Sequence, residues 1–385
     1  MDPIALRDLL IGWAEINSGS SHIAGLDRMR TVLAAEFKSL PHATVESVPL
    51  AGTAAQALRV VIHPGAPVQI LLSGHYDTVY GAHHPFQKCT LRDDGTLLGP
   101  GVADMKGGLV TMLAALREFE SGPQASRLGF EVLLTPDEET GSVASRPVLE
   151  DAARSRQHAF AMIFEPARSN GDIVRARKGT GIFTVTCHGR AAHAGRDPAA
   201  GRNAILALVE YLPEIAELGR DLEGVSVNIG NIRGGGAVNI VPDFAEAQVN
   251  IRTTRLADEA EVIECLHELA EPINQREGYR LIVDGSFNRP PKEVSPAEER
   301  LFAWWQQCAH EVGVKLSWQD VGGGSDGNLL AAAGLPSLDG LGPVGDRMHS
   351  PEEYIHVETL AERARIAVRF WDRVASGEVE LPKRA

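Results

Sequence analysis

The chain has 385 residues, which exceeds one ordinary domain and predicts at least two packed units. Hydrophobic residues make up 44% of the chain and charged residues 23%, a composition that is typical of globular proteins and excludes disordered or collagen-like chains. The formal net charge of −14 argues against a broad cationic surface, so we expect neither nucleic acid nor an anionic membrane as a partner.

Two further features concern the cellular compartment. No stretch reaches the roughly 18 apolar residues of a membrane span, and Asp2 stands where a signal peptide would carry positive charge. The four cysteines lie far apart and form no CxxC motif, which indicates reduced, packed thiols rather than disulfides or a thiolate zinc site. We therefore expect a cytoplasmic protein.

The first part of the chain alternates between two kinds of apolar pattern. Asp2 and Pro3 are typical of the first residues of a helix, and apolar residues at helical spacing follow them. Beyond this helix, the patterns predict strands at 57–63, 68–73, 128–135 and 159–164, and helices at 105–120 and 142–153. Such alternation is typical of an α/β layered domain with a mostly parallel sheet.

A different order of elements begins near residue 179. The patterns there predict, in chain order, a strand at 182–188, a helix at 203–218, strands at 225–232 and 245–254, a helix at 259–275 and a strand at 279–283. This β-α-β-β-α-β order indicates a ferredoxin-like α+β unit that is inserted whole. We therefore expect a catalytic domain at 1–178 plus 290–385, interrupted by a smaller domain at 179–289.

One histidine and one acid stand at the end of a predicted buried strand. His75 and Asp77 are two residues apart, so their side chains project from the same face. A histidine that binds metal often donates its other ring nitrogen to a carboxylate, and this spacing allows that contact. A purely structural pair is the alternative, because His-x-acid pairs occur by chance about as often as they occur in this chain.

More acids and a second histidine stand at the ends of other elements. They are Asp104 in a glycine-rich turn before a helix, Glu138 and Glu139 after a strand, Glu165 after another strand, and His349 before the last helix. Taken alone, each also fits a structural role such as a helix N-cap or a solvated turn. Because all of them lie at the ends of elements of one layered domain, they predict a common site at the sheet edge.

These side chains have the composition of a dinuclear metal centre. Two histidines and three carboxylates suit a pair of divalent cations, with one carboxylate shared between the ions. Zinc is the first expectation, with cobalt or manganese as alternatives, since nitrogen and oxygen ligands accept all three metals. Glu138 would be free to act as a general base while its neighbour Glu139 binds metal.

Five motifs, GHYDTVY, GPGVADMKGG, PDEETGS, FEP and MHSPEEY, resemble in this order the dinuclear-zinc amidohydrolase superfamily. That superfamily includes glutamate carboxypeptidase, aminoacylase, acetylornithine deacetylase and succinyl-diaminopimelate desuccinylase. The resemblance implies two ligand sets with one shared aspartate: His75, Asp104 and Glu165 on one zinc, and Asp104, Glu139 and His349 on the other. It also implies that Asp77 orients His75 and that Glu138 takes a proton from the bridging water. In this family the peptide bond after the shared aspartate is often cis, which here is Asp104–Met105.

The predicted insertion resembles the family's lid or dimerisation domain, which implies a homodimer. Its motif GRAAHAG implies that His193 polarises the scissile carbonyl in the partner subunit's active site; a structural loop histidine is the alternative. By resemblance Arg252 and Asn239 contact substrate, and Arg289 is a further candidate, because arginine binds carboxylates through two parallel hydrogen bonds. The glycine run that ends at Gly324 would admit substrate to backbone donors, or is simply a flexible loop or helix start.

Taken together, the motifs predict a metal-dependent hydrolase. A metal-activated water would cleave the amide or peptide bond of a C-terminal, glutamate-like or N-acylated amino acid, so the expected partner is a small conjugate or dipeptide. Two alternatives remain at this point: an N-acyl-amino-acid deacylase with the same chemistry, and a non-catalytic dimeric scaffold homologue.

Overall fold

The computed structural model describes residues 1–155 and 157–382, which form two compact units. Unit 1 contains Met1–Ala176, Val294–Val321 and the chain from Ser325 onward, and unit 2 contains Arg177–Glu293 and Gly322–Gly324. The sequence predicts the insertion at 179–289, so the observed unit 2 starts two residues earlier, ends four residues later and adds a glycine loop.

The described residues form nine α-helices and sixteen strands. The helices are α1 (Pro3–Ala14), α2 (Ile23–Lys38), α3 (Gly107–Glu120), α4 (Arg146–Arg154), α5 (Ala204–Asp221), α6 (Ala257–Asn274), α7 (Pro296–Glu311), α8 (Asp326–Ala332) and α9 (Glu358–Ser376). The strands are β1 (Ala43–Pro49), β2 (Gln56–Ile62), β3 (Val68–His75), β4 (Thr90–Leu91), β5 (Thr96–Leu98), β6 (Leu128–Thr135), β7 (His158–Ile163), β8 (Ile173–Arg177), β9 (Gly179–His188), β10 (Ser226–Gly234), β11 (Phe244–Thr253), β12 (Arg280–Arg289), β13 (Trp318–Val321), β14 (Ser337–Asp339), β15 (Gly345–Asp346) and β16 (Tyr354–His356).

The large sheet has the strand order β1-β2-β6-β3-β7-β14-β8-β13. Its centre is parallel, because β3 pairs in parallel with both β6 and β7, and β14 pairs in parallel with β7. Its margins are antiparallel at β1 with β2, at β2 with β6 and at β14 with β8. The predicted mostly parallel α/β sheet is therefore confirmed, as a mixed sheet with a parallel core.

Helices of unit 1 cover the parallel core on both faces. Ile70 and Leu72 of β3 pack in one apolar cluster with α3 and α9, whereas Leu71 packs in a second cluster with α4 and α8. This division follows from the alternation of side chains along a strand, and burial on both faces explains why β3 reads as a continuous apolar run. Because β3 and β6 are buried along their length, packing holds their carboxyl ends in place at one edge of the sheet.

Some local elements differ from the predicted ones. The helix predicted at 105–120 begins at Gly107, because Asp104 and Met105 leave helical backbone angles inside an irregular turn, Val102–Lys106. The helix predicted at 142–153 begins at Arg146, after Ser142 has adopted the left-handed region with φ 54°. Helix α2 and strand β1 were not predicted at all.

A small sheet of four short strands, β15-β16-β5-β4, completes unit 1. Strand β15 is antiparallel to β16, and β16 is antiparallel to β5. The turn between β15 and β16 carries His349, so this sheet brings a residue from near the end of the sequence to the irregular turn that holds Asp104.

Unit 2 has the predicted ferredoxin-like topology. Its antiparallel sheet has the order β10-β11-β9-β12, which is the 4-1-3-2 order of a β-α-β-β-α-β unit read from the other side. Inward side chains alternate along β9 at Phe183, Val185 and Cys187, and these pack with α5 and α6 in a separate core. In the described ranges, no helix is long and apolar enough to cross a membrane. The cytoplasmic location stays a prediction.

Candidate metal centre

The parallel core of unit 1 brings three predicted site segments to one edge of the sheet. His75 is the last residue of β3 and pairs in register with Thr135, the last residue of β6. Ser73 of β3 pairs with Ile163, the last residue of β7. Glu165 therefore lies two residues beyond the same edge. Sites in α/β sheets form at this carboxyl edge, because neighbouring parallel strands all end there.

Asp104 reaches this edge through a tight backbone turn. Gly101 lies in the left-handed region with φ 72°, and a side chain there would also contact Thr78 at 2.8 Å. Helix α3 then packs so closely that a β-carbon on Gly108 would lie 1.8 Å from the carbonyl oxygen of Phe164, next to Glu165. The Asp104–Met105 peptide bond is cis, as the family resemblance implies. Glycine is thus required for the turn and for its close approach to the sheet.

The five predicted ligands meet at this edge. Oδ1 of Asp104 lies 3.0 Å from Nε2 of His75, and Oδ2 of the same aspartate lies 3.3 Å from Nε2 of His349. Nε2 of His75 is also 3.7 Å from Oε1 of Glu165, and Nε2 of His349 is 3.0 Å from Oε2 of Glu139. Each oxygen of Asp104 therefore faces a different histidine, which is the arrangement that a bridging carboxylate requires.

The donor set fits a pair of divalent cations. Within the described residues, two overlapping groups of side chains could hold a metal ion: His75, Asp104 and Glu165, and Asp104, Glu139 and His349. Nitrogen and oxygen ligands bind zinc at about 2.0–2.2 Å, so tetrahedral geometry separates them by about 3.3–3.6 Å. The four ligand-atom distances of 3.0, 3.7, 3.3 and 3.0 Å lie close to that range.

Asp77 contacts the first histidine from the side away from the cluster. Its carboxylate is fully buried, and Oδ1 lies 3.2 Å from Nδ1 of His75. The same carboxylate accepts hydrogen bonds from the backbone N–H groups of Glu138 and Glu139, both at 3.2 Å, and from the hydroxyl of Ser20 at 2.7 Å. Because Nδ1 is held by Asp77, Nε2 of His75 points at the ligand cluster, as is usual for metal-binding histidines.

The two histidines and Glu139 of this cluster bind protons more tightly than isolated side chains do. Burial opposes charging of His75, but hydrogen bonds to Asp104 and Asp77 outweigh it and raise the pKa of the imidazole well above its ordinary value. Hydrogen bonds to Asp104 and Glu139 raise the pKa of His349 to about 11. Burial and the charge of Asp104 raise the pKa of Glu139 to about 7. A cation must displace these protons, so its affinity is expected to increase with pH.

Glu138 lies beside the cluster in a well-held turn. It is 9% exposed and begins the short turn Glu138–Thr140, which follows β6 after Pro136 and Asp137. The carboxylate of Asp137 accepts the N–H groups of Ala144 and Ser145, and the buried carboxylate of Asp326 accepts the hydroxyl of Thr135 at 2.8 Å. The turn that carries Glu138 and Glu139 is therefore fixed at both of its ends.

The other predicted catalytic residue, His193, lies in unit 2 and is exposed. Its Nδ1 accepts hydrogen bonds from the backbone N–H groups of Gly195 and Arg196, both at 3.1 Å. An Nδ1 that accepts leaves the proton of a neutral imidazole on Nε2, which is then a hydrogen-bond donor. Asn239 lies beside it, because its carbonyl oxygen accepts the N–H of Ala194 at 3.0 Å.

The remaining predicted substrate residues also lie in unit 2. Arg252 on β11 donates from Nη1 to the carbonyl oxygen of Gly322 and from Nε to Oδ1 of Asn250 at 3.2 Å. Arg177 donates to the carbonyl oxygens of Gly323 and Gly324 at 3.3 and 3.5 Å. These two arginines hold the glycine loop. Arg289, the last residue of β12, is buried at 6% exposure.

Sequence reasoning missed three residues that the geometry connects to these sites. Arg177 carries no motif signal, since it is a single arginine in a strand. Glu353 lies inside the motif MHSPEEY, yet its role depends on contacts with the Asp104 turn that spacing does not reveal. Tyr80 lies in GHYDTVY and contacts Glu353 at 2.8 Å. An acid four residues after His349 was the available signal.

The α/β fold and a sheet edge that gathers histidines and carboxylates define a metal-dependent hydrolase. Residues 71–373 match the family model described as Peptidase family M20/M25/M40, and the chain belongs to this family. The predicted superfamily, the fold class and the assignment as an enzyme are thereby confirmed, which disfavours a non-catalytic scaffold.

Similar proteins agree with this assignment. The chain is 25% identical over 371 residues to carboxypeptidase G2 from Pseudomonas sp. strain RS-16, covering 94% of this chain and 88% of that protein. It is 31% identical over 314 residues to a succinyl-diaminopimelate desuccinylase from Alkalilimnicola ehrlichii, covering 76% and 80% of the two chains. Its fold is similar to the crystal structure of aminopeptidase PepT from Bacillus cereus, with a TM-score of 0.81, 23% identity and coverage of 97% and 99%.

Proposed function

We propose that this protein hydrolyses the amide or peptide bond of a C-terminal, glutamate-like or N-acylated amino acid with two bound divalent ions, of which zinc is the first candidate. The observation that carries the proposal is the position of Asp104, whose two oxygens lie 3.0 and 3.3 Å from two different histidines. The bound ions would lower the pKa of a shared water and polarise the scissile carbonyl. His75, Asp104 and Glu165 hold one ion, and Asp104, Glu139 and His349 hold the other.

Glu138 is the general base in this proposal. It takes a proton from the attacking water as the oxygen bonds to the acyl carbon, and it delivers that proton to the leaving nitrogen as the amide bond breaks. The products are a carboxylic acid and a free amine. Its near-complete burial and its place next to Glu139 support this role, since both backbone N–H groups are held by Asp77.

In this proposal His193 donates from Nε2 to the carbonyl oxygen of a substrate bound in the partner subunit's active site, as negative charge develops there. The two N–H groups that bind its Nδ1 support this role, because they leave the proton on the opposite nitrogen. Asn239, Arg252, Arg289 and Gly324 bind the substrate. For Arg252 this means that substrate replaces or joins the carbonyl oxygen of Gly322 as its partner.

A second candidate is an N-acyl-amino-acid deacylase with the same catalytic groups. The two candidates differ in the product that carries the new carboxylate. In the deacylase the acyl group receives the water oxygen, whereas in hydrolysis of a dipeptide an amino acid receives it. The observation that favours it is the 31% identity to a protein named succinyl-diaminopimelate desuccinylase, which exceeds the 25% identity to carboxypeptidase G2.

Unit 2 further supports a homodimer. Strand β10 is an edge strand of its sheet, and Ile232 on this strand is 55% exposed. Leu206 and Val209 on α5 are 59% and 51% exposed, and such apolar exposure near an open edge is typical of an interaction surface. Light scattering of the purified protein tests this proposal: a mass of two chains supports it, and a mass of one chain contradicts it.

The direct test of the activity is a substrate panel. Zinc-, cobalt- and manganese-loaded protein is incubated with dipeptides that end in glutamate and with N-acetyl and N-succinyl amino acids, and the released amine is identified by mass spectrometry. Release of C-terminal glutamate supports the carboxypeptidase, and release of an amino acid from the N-acyl compounds supports the deacylase. The absence of hydrolysis across the panel by protein that binds two metal ions per chain contradicts both.

A further inference from the structure

Glu353 is a buried acid whose carboxylate binds the turn that carries Asp104. It is 1% exposed, and its Oε1 accepts the backbone N–H groups of Ala103 at 2.9 Å and of Asp104 at 3.0 Å. Its Oε2 accepts the N–H of Gly101 at 3.1 Å. Three backbone donors of one short turn thus converge on a single carboxylate.

The same residue also contacts the two other segments that bear histidine ligands. The hydroxyl of Tyr80, five residues after His75, lies 2.8 Å from Oε2 of Glu353 and 2.8 Å from the carbonyl oxygen of Ser350, the neighbour of His349. The backbone N–H of Glu353 donates to the same carbonyl of Ser350 at 3.1 Å. Segments with His75, Asp104 and His349 therefore meet at one side chain.

The turn before Glu353 needs such support. Arg347 and His349 both lie in the left-handed backbone region, with φ of 59° and 61°. Residues other than glycine rarely adopt this conformation. A conformation of this kind persists where the surrounding contacts hold it, and it is often found at functional sites. The contacts of Glu353 within the turn and across to the Asp104 turn provide that restraint.

We infer that Glu353 is a positioning residue for the metal centre. It sets the spacing between Asp104, the ligand that both ions would share, and the ligand His349. The inference rests on the proposed function, because it concerns the affinity of the ions that the proposed reaction uses. Glu353 contacts neither ion nor substrate in this account. It acts through the backbone N–H of Asp104 and through the turn of His349, as supporting hydrogen bonds do in other metal sites.

The variant Glu353→Gln tests the inference, since it keeps the size of the side chain. Each carboxylate oxygen faces at least one backbone N–H, so either orientation of the new amide places its NH₂ group against a donor. The dissociation constant for zinc is measured by competition with a chromophoric chelator, well below the unfolding temperature. It is expected to increase about 10- to 100-fold, the usual effect of losing such a contact.

Glu298→Gln is the matched control. Glu298 is a carboxylate of similar burial, 2% exposed, that also accepts backbone N–H groups, those of Ser295 at 2.8 Å and of Ser337 at 3.2 Å. Its substitution should lower the unfolding temperature and leave the zinc dissociation constant within about twofold. A purely structural Glu353 would behave in the same way.

An unchanged zinc dissociation constant in folded Glu353→Gln overturns the inference. If that variant does not fold, Tyr80→Phe decides, because it removes one hydroxyl from the carboxylate and keeps the buried ring; a weaker zinc affinity supports the inference and a wild-type affinity overturns it. Failure of the wild-type protein to bind zinc would instead contradict the proposed function. The two failures are thus distinguished by the wild-type measurement.

Discussion

Two clusters of acids and histidines lie at strand β6 and beyond its end, and they differ in the positively charged side chains that the acids contact. In the middle of the strand, Glu131 accepts Nε of Arg59 at 2.8 Å and lies 3.1 Å from Nε2 of His158. Beyond the end of the same strand, Glu139 and Asp104 have His349 as a partner, and Asp104 also has His75. The carboxylates of both clusters are largely buried, whereas His349 is exposed, so burial of the acids alone does not distinguish a metal centre from a structural ion pair.

The difference lies in where the positive charge comes from. Glu131 has a permanently charged guanidinium beside it, and its hydrogen bonds to His158 and Arg59 outweigh burial and lower the pKa of its carboxyl. In the cluster at the end of the strand, burial is the largest influence on Glu139 and its pKa rises to about 7. Three carboxylates there meet two imidazoles, a donor set that suits divalent cations.

The largest expected effect concerns Glu138, the neighbour of the proposed metal ligand Glu139. Glu138→Gln removes the proposed base and keeps its volume, so kcat should fall about 10³- to 10⁴-fold while two metal ions remain bound. Steady-state kinetics and metal analysis on the same preparation check this prediction. Turnover near that of the wild type, with both ions present, would remove Glu138 from the mechanism.

The second expected effect concerns a histidine that belongs to neither cluster. His193→Ala removes the proposed donor to the carbonyl and should lower kcat about 10²- to 10³-fold without changing the metal content. His193→Gln, which can still present an N–H donor, should recover part of that loss. If the alanine variant has normal kcat, His193 is a structural loop residue.

The smallest expected effect tests the structural side of the comparison. Glu131→Gln should leave kcat and metal content within about twofold and lower the free energy of unfolding at pH 7 by about 1–3 kcal/mol. Because folding lowers the pKa of Glu131 from its ordinary 4.5, its charged form stabilises the protein above that pH. The stabilisation disappears as pH falls through the lower, folded-state pKa.

Chemical or thermal unfolding of the wild type and of Glu131→Gln from pH 7 to pH 3 measures this difference. The two free energies of unfolding should converge as the solution becomes acidic. A difference that stays constant with pH would show that the charge of Glu131 contributes nothing beyond its hydrogen bonds. Altered metal content in this variant would contradict the separation of the two clusters.

Three of the five proposed metal ligands, His75, Glu139 and Glu165, could be placed at one sheet edge from sequence because each ends or follows a buried strand. His75 ends the buried run of β3, and Glu165 follows the buried strand β7, so the parallel register alone brings them together. The ferredoxin-like order of unit 2 was readable for a similar reason, since the buried positions of β9 alternate strictly. Local patterns of burial therefore predicted the fold and the meeting of these side chains at the sheet edge.

Other features depend on contacts that no local pattern records. Glu353 binds N–H groups that lie 249 to 252 residues earlier in the chain. Helix α2 begins without a side-chain cap on its N-cap residue, His22, and β1 is mostly exposed, so neither element carried a clear start or period. The contact of Arg252 with Gly322, which lies 70 residues later in the chain, could not be read from the strand that bears the arginine.

We propose above that the sheet edge binds two divalent ions that share Asp104. The most direct measurement is the metal content of purified protein that has been stripped with a chelator, reconstituted with zinc and dialysed, determined by inductively coupled plasma mass spectrometry against the chain concentration. We expect two zinc ions per chain. A content of one zinc ion per chain or fewer would contradict it.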